Sequence, residues 1–103
     1  MVRKIAIQKK CAETLKALSE AVRIRIVYDL FEKERCVGDL VKALKLSQPH
    51  VSHHLGILKN AKIVYTRREG HKVYYVLTSG MRSKFSPGDR TINLRCCSIK
   101  FKG

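Results

Sequence analysis

Residues 37–62, VGDLVKALKLSQPHVSHHLGILKNAK, decide the fold. They read as two short helices joined by a tight turn. The first places Leu40, Val41 and Leu44 on one buried face. Lys45-Leu46-Ser47 then breaks the pattern. Ser47 is suited to cap the next helix, because its hydroxyl can accept an orphan amide. Pro49 falls in that helix's first turn, where its missing N–H costs nothing. The second helix buries Val51, Leu55 and Leu58 at i, i+4 and i+7. Gln48, His50, Ser52, His53, Gly56 and Lys59 are left on the outside. That outer face has no acid and no bulky apolar group, as a helix entering a DNA major groove requires. His54 falls on the inner side and reads as a packed, hydrogen-bonded histidine rather than a base reader.

The surrounding charge agrees. The 103 residues hold 22 Lys+Arg against 8 Asp+Glu, a formal +14. This balance implies a polyanionic partner, nucleic acid or an acidic membrane surface. Between Leu40 and Arg68 there is no Asp or Glu, while Lys42, Lys45, Lys59, Lys62, Arg67 and Arg68 all fall there. A merely solvated surface would more often mix signs. No apolar run approaches membrane-spanning length and no cleavable signal is visible, so the expected location is cytoplasmic. There Cys11, Cys36, Cys96 and Cys97 are expected as reduced thiols.

One domain is expected from this length. Residues 1–7 read as a flexible arm. A first helix runs from about Gln8 to Leu18, with Cys11, Leu15 and Leu18 on one face. Ser19 is its successor's N-cap, and the second helix, residues 20–33, buries Val22, Ile26, Val27, Leu30 and Phe31. After Lys62 the period changes from 3.6 to 2. Residues 63–68 and 72–77 are two strands around Glu69-Gly70-His71, with Gly70 for the positive φ of a tight hairpin. Arg67, Arg68, His71 and Lys72 cluster at its tip. A basic hairpin after a helix-turn-helix is a wing, placed beside the groove-reading helix. Residues 78–90 read as a loop. Residues 91–101 read as one further strand whose apolar alternation, Ile92, Leu94, Cys96 and then Cys97, Ile99, Phe101, switches parity at the cysteine pair and predicts a β-bulge there. The fold class is α+β, mainly α: a winged helix-turn-helix over residues 1–80, then a loop and C-terminal strand over 81–103 serving dimerisation or sensing.

Three segments carry a family resemblance: LSEAVRIRIVYDL (18–30), RCVGDLVKALKLSQPHVSHHLGILKNAKIV (35–64) and YTRREGHKVYYVL (65–77). Together they resemble the ArsR/SmtB family of small winged-helix repressors. The resemblance covers residues 10 to 80. It implies a homodimer that binds double-stranded operator DNA and lets go on sensing a metal, a metalloid or an oxidising sulfur species. Two departures stand out. Arsenic sensors of the family carry Cys-Val-Cys before Asp-Leu, whereas this chain has Cys36-Val37-Gly38. Many relatives end in a dimerising helix with a His/Asp metal site, whereas this chain ends in loop and strand.

The candidate DNA contacts are therefore Gln48, His50, Ser52, His53 and Lys59 on the helix. Lys42, Lys45, Lys62, Arg67, Arg68, His71 and Lys72 are phosphate candidates around it. Cys96 and Cys97 are the candidate metal ligands, with Cys36 and Cys11 as further donors; their flanking Arg95 and Lys100 favour thiolate. Regular strand geometry would point adjacent thiols apart, so a bulge or a partner's thiol is needed for chelation. Soft thiolates suit arsenite, zinc, cadmium or Cu(I). Persulfide or disulfide sensing competes with ion capture. A constitutive architectural DNA-binding protein with inert cysteines is the reading from another class. No enzyme is expected, because no spacing supplies a base beside a nucleophile.

Overall fold

The computed structural model describes residues 2–86, 88–94 and 96–100, with side chains from Lys9 onward. Its elements run α1 (Val2–Ala17), α2 (Ala21–Glu32), β1 (Arg35–Cys36), α3 (Val37–Leu44), α4 (Gln48–Asn60), β2 (Val64–Glu69) and β3 (Lys72–Leu77). There follow α5 (Ser79–Arg82), β4 (Phe85–Ser86), β5 (Thr91–Leu94) and β6 (Cys97–Lys100). One antiparallel sheet has the order β1-β3-β2 and a second the order β4-β5-β6.

The helix-turn-helix forms as its sequence dictates. Ser47 caps α4 and accepts the His50 amide at 3.3 Å. Leu40, Val51, Leu55 and Leu58 are fully buried, joining Ile26, Val27 and Leu30 of α2. Lys45 closes α3 in the left-handed region at φ 57°, its amide on the Val41 carbonyl at 2.9 Å. At the far end of α4 the chain turns through Lys62 at φ 61°. The Ile63 amide reaches back to the Leu58 carbonyl and the Lys62 amide to Lys59, both at 3.0 Å. This is the reciprocal C-terminal motif that usually carries glycine at the left-handed position. A lysine stands there instead, so a cation is fixed at each end of α4.

The wing follows the alternation. β2 and β3 pair from Val64↔Leu77 to Glu69↔Lys72, which leaves Gly70-His71 as a two-residue turn. Gly70 takes φ 62°, the positive value that such hairpin turns demand at their first central residue. β1 pairs with β3 through Arg35↔Tyr75 and Cys36↔Tyr74, so the link before α3 is part of the wing sheet.

Four local expectations are corrected. The backbone is helical from Val2, where an arm was expected over residues 1–7. Glu20, not Ser19, is the N-cap of α2; the Ser19 hydroxyl instead donates to the Lys16 carbonyl at 2.6 Å and closes the end of α1. The segment after Thr78 is not all loop. Thr78 caps the one-turn α5, accepting the Met81 amide at 3.3 Å, and β4 follows. Finally, the expected single C-terminal strand is two. β5 and β6 pair antiparallel through Ile92↔Ile99 and Leu94↔Cys97, with Cys96 in the turn before β6. The parity switch is therefore a hairpin, not a bulge. Cross-strand partners share a face, so both apolar sets still come to one side. Phe101 lies outside the described residues.

This C-terminal sheet docks on α2. The Phe85 ring stacks on Phe31 at 4.1 Å between centroids. Arg82 donates to the Phe31 carbonyl at 3.0 Å and the Leu30 carbonyl at 3.3 Å, satisfying the end of α2 with a cation. Ile92 and Leu94 complete one continuous core with the helix-turn-helix.

His54 is the buried polar side chain of that core, 5% exposed. Its Nδ1 faces the Arg23 guanidinium at 3.4 Å, which only donates, so Nδ1 is the unprotonated ring nitrogen. Burial, then the charge of Arg23, hold its pKa below the ordinary 6.5. The unfolded chain therefore takes up this proton at higher pH than the folded one does. The stability contribution is complete above pH 6.5 and is lost as pH falls from there through the lowered folded value. Thermal unfolding between pH 8 and pH 5 is expected to show a midpoint that declines below pH 6.5. His54→Gln should flatten that decline. An equal decline in this variant would place its cause elsewhere.

Candidate nucleic-acid interface and thiol cluster

α4 presents two chemically distinct sides. Its inner residues Val51, Leu55 and Leu58 are dry, while Gln48, His50, Ser52, His53, Gly56 and Lys59 are all exposed. The structure thus brings the sequence-predicted reading residues onto one surface. The His50 and His53 rings lie 5.0 and 5.5 Å from the His54 ring, so the inner histidine supports the two outer ones. Apart from its chain neighbours and the backbone of its own helix, Gly56 has no protein atom within 4 Å of where a Cβ would stand. Internal packing does not require glycine there, although glycine in a helix interior costs about 1 kcal/mol against alanine.

Exposed cations surround this surface. Lys42 and Lys45 precede α4, Lys62 follows it, and Arg68, His71 and Lys72 are exposed on the wing. Arg67 is different. Its guanidinium pairs with Glu34 and, at 2.9 Å, with Glu69, and lies over the Tyr74 ring at 4.9 Å. The hydrogen bonds to Glu34 first, and then to Glu69, raise its pKa further. Arg67 therefore holds the wing to the segment before β1, and much of its charge is already answered. Glu34 was not linked to Arg67 by sequence reasoning, because it is far away in sequence and becomes a neighbour only through the sheet.

Arg23 was also missed. Its Nε donates to the Ala17 carbonyl at 2.6 Å and its Nη1 faces His54. One side chain thereby joins the end of α1 to α4. Its place off the apolar stripe of α2 was legible, but its partners were not.

The cysteines are not all free thiols as expected. Cys11 of α1 and Cys96, in the β5–β6 connection, form a disulfide with Cα atoms 6.2 Å apart. The reason is topological: the hairpin turn lays Cys96 against α1, and Cys11 approaches the Leu94 carbonyl at 3.9 Å. Cys97 is free, with its Sγ 3.8 Å from that of Cys96. The turn thus achieves the thiol convergence for which a bulge was expected. Cys36 stands apart at the start of α3. Its amide and thiol both donate to Asp39 Oδ2, at 3.3 and 3.2 Å, and these bonds lower the Asp39 pKa. No group of three or more His, Cys, Asp or Glu is arranged to hold an ion among the described residues. No helix among them is long and apolar enough to cross a membrane.

Comparison with known proteins places this geometry. The family profile "Bacterial regulatory protein, arsR family" matches residues 20–66. The HTH-type transcriptional repressor SmtB of Mycobacterium tuberculosis is 52% identical over 65 residues, 63% of this chain and 48% of the relative. A cadmium resistance transcriptional regulatory protein CadC homolog of Staphylococcus aureus is 45% identical over 67 residues, 64% of this chain and 55% of the relative. The chain thus spans about half the length of these curated relatives. The homodimeric winged helix-turn-helix DNA-binding domain solved from Mycobacterium bovis is 32% identical, with a TM-score of 0.70 over 76% of this chain and 72% of that one. The profile match runs from α2 through α4 into the first wing strand, and the chain belongs to the arsR family of bacterial regulatory proteins.

Proposed function

We propose that this chain is a homodimeric, sequence-specific DNA-binding repressor of the cytoplasm. Its release from DNA is triggered by a soft metal or metalloid ion held by cysteine thiolates. The observation that carries the DNA reading is the outer surface of α4. It is exposed, free of acids, polar at Gln48, His50, Ser52 and His53, and bracketed by lysines held at both helix ends. Two such helices in a dimer would read successive major grooves of a near-palindromic site. The homodimeric relative supports that assembly. Lys42, Lys45, Lys59, Lys62, Arg68, His71 and Lys72 would position the protein on phosphates, and Arg67 would act chiefly by fixing the wing.

The effector reading rests on the Cys96–Cys97 approach of 3.8 Å, with Cys11, bonded to Cys96 here, as a further thiol once that bond is reduced. The cadmium resistance relative is consistent with it. A coupling of about 1–3 kcal/mol between ion and DNA is enough for a switch. The Cys11–Cys96 disulfide favours a second reading, in which thiol oxidation is the release signal.

Fluorescence anisotropy of the reduced protein on its own upstream DNA tests both parts. With about six phosphate contacts, log affinity should fall against log salt with a slope near −5. A flat response would remove the DNA reading. Arsenite titrated into the complex should release the DNA, and a Cys96→Ser/Cys97→Ser variant should resist. Gly56→Ala separates fold from function. It should stabilise the protein by about 0.5–1 kcal/mol, since its Cβ meets open space, yet weaken specific DNA binding. Unchanged DNA affinity in that variant would mean that DNA does not approach the helix at Gly56.

A further inference from the structure

Three of the four histidines of this chain stand together on α4. His50 and His53 are exposed, and His54 lies buried behind them, its ring centroid 5.0 and 5.5 Å from theirs. Gln48 and Ser52 on the same surface already supply neutral donors and acceptors. Imidazole differs from them in one respect: it gains a charge between pH 5 and 8. A charged ring donates from both nitrogens and accepts at neither. DNA offers two kinds of acceptor to such a ring, the phosphate oxygens and the N7 and O6 of guanine in the major groove.

We propose that His50 and His53 meet DNA as imidazolium ions, so that binding takes up protons and acidification tightens the protein on DNA, while His54 behind them stays neutral. The inference rests on the DNA reading above and adds a pH response to the same surface. By linkage, a complex that holds more protons than its separate parts gains affinity as pH falls, about tenfold per pH unit for each proton taken up.

The charges around the group give the response its direction. α2, α3 and β2 pack against α4. From α2 and its N-cap, Arg23 and Glu20 act on His54. α3 and its C-cap bring Lys42 and Lys45, and Asp39, which is bonded to Cys36. β2 brings Tyr65, Arg67, Arg68 and Glu69, the last paired with Arg67. On α4 itself the other charged group is Lys59. No acid lies between Leu40 and Arg68, so the counter-charge for two imidazolium ions has to come from outside that segment. Bound DNA supplies it.

The inner ring is set apart. Burial first, and then the charge of Arg23, hold His54 below its ordinary pKa. Its Nδ1 faces the Arg23 guanidinium at 3.4 Å, a group that only donates. A proton delivered to the group on DNA binding therefore falls to an exposed ring, and the core keeps its neutral histidine.

The test uses the full chain, kept reduced, on its own upstream DNA. Anisotropy is read at constant ionic strength between pH 6 and pH 8, with circular dichroism confirming the fold at each pH. Affinity should rise about tenfold for each pH unit fallen near pH 7. Log affinity against log salt should be steeper at pH 6 than at pH 8, by about 0.9 for each imidazolium that meets a phosphate. His50→Gln/His53→Gln should lose most of the pH dependence at whatever affinity it retains, since glutamine keeps a neutral donor and acceptor. His54→Gln and the wing variant His71→Gln should keep it. Calorimetry of the unaltered protein in two buffers of different ionisation enthalpy should show about one proton taken up per bound chain at pH 7. Should the double variant bind too weakly to measure, His50→Gln and His53→Gln singly should each lower that uptake by about half. Salt-dependent binding with no pH dependence and no proton uptake would overturn the proposal and leave the DNA reading standing. So would a pH dependence that disappears in His71→Gln or His54→Gln and survives in the double variant. Absence of binding at every pH would remove both.

Discussion

One helix has to be dry on one side and bare on the other, and the rest of the molecule is arranged around that demand. Val51, Leu55 and Leu58 anchor α4 by burial against α2 and α3. A fully buried aliphatic side chain contributes about 1.5–3 kcal/mol. The inner side therefore holds the helix without any help from the outer one. That freedom is what allows the outer side to be chosen for chemistry alone. Gly56 shows the choice, since it lowers helix stability and relieves no clash within the protein. The lysines at φ 57° and 61° show it again, because each occupies a position where glycine would sit with less strain. These three departures fall on or beside the same surface, while a further left-handed residue, Arg90 at φ 54°, lies in the turn before β5.

The helix-turn-helix, its cap, the wing and its turn were legible because each rests on local rules. An apolar period, a serine before proline and a glycine between two β-rich runs are read within a few residues. The errors came where distant residues decide. Ser19 has the chemistry of an N-cap, but the Lys16 carbonyl was nearer and took its hydroxyl. The parity switch at Cys96-Cys97 was correctly seen and wrongly built. A bulge and a tight hairpin both bring the two apolar sets to one side, and pattern alone does not separate them. The short strands of that hairpin are secured by Ile92 and Leu94 in the core, a tertiary fact. The same turn carried Cys96 to α1 and so changed the reading of four free thiols into one disulfide and two thiols. The pairing joins residues 85 apart, and no local signal announces it.

The acids are used sparingly, and their positions complete the electrostatic argument. Glu34 and Glu69 are not scattered countercharges on a basic chain; both converge on Arg67. Exposed ion pairs contribute little to stability, about 0–1 kcal/mol. Their effect here is on geometry, because they tie β2 to the strand segment that leads into α3 and keep the wing at a set place beside α4. One cation is given up to orient the others. Asp39 does similar work at the start of α3, where it occupies the Cys36 thiol and amide. That commitment separates Cys36 from the sulfur group on α1 and the hairpin.

Arg23 is then the element through which the two halves of the molecule meet. It touches α1 at the Ala17 carbonyl and α4 at His54, and His54 in turn supports the His50 and His53 rings. A shift of α1 by a fraction of an ångström changes either the 2.6 Å bond at Ala17 or the 3.4 Å approach at His54, since one guanidinium serves both. The shorter contact is the stronger hydrogen bond, so the longer one yields first. The approach to His54 is therefore the looser of the two contacts by which Arg23 joins α1 to α4.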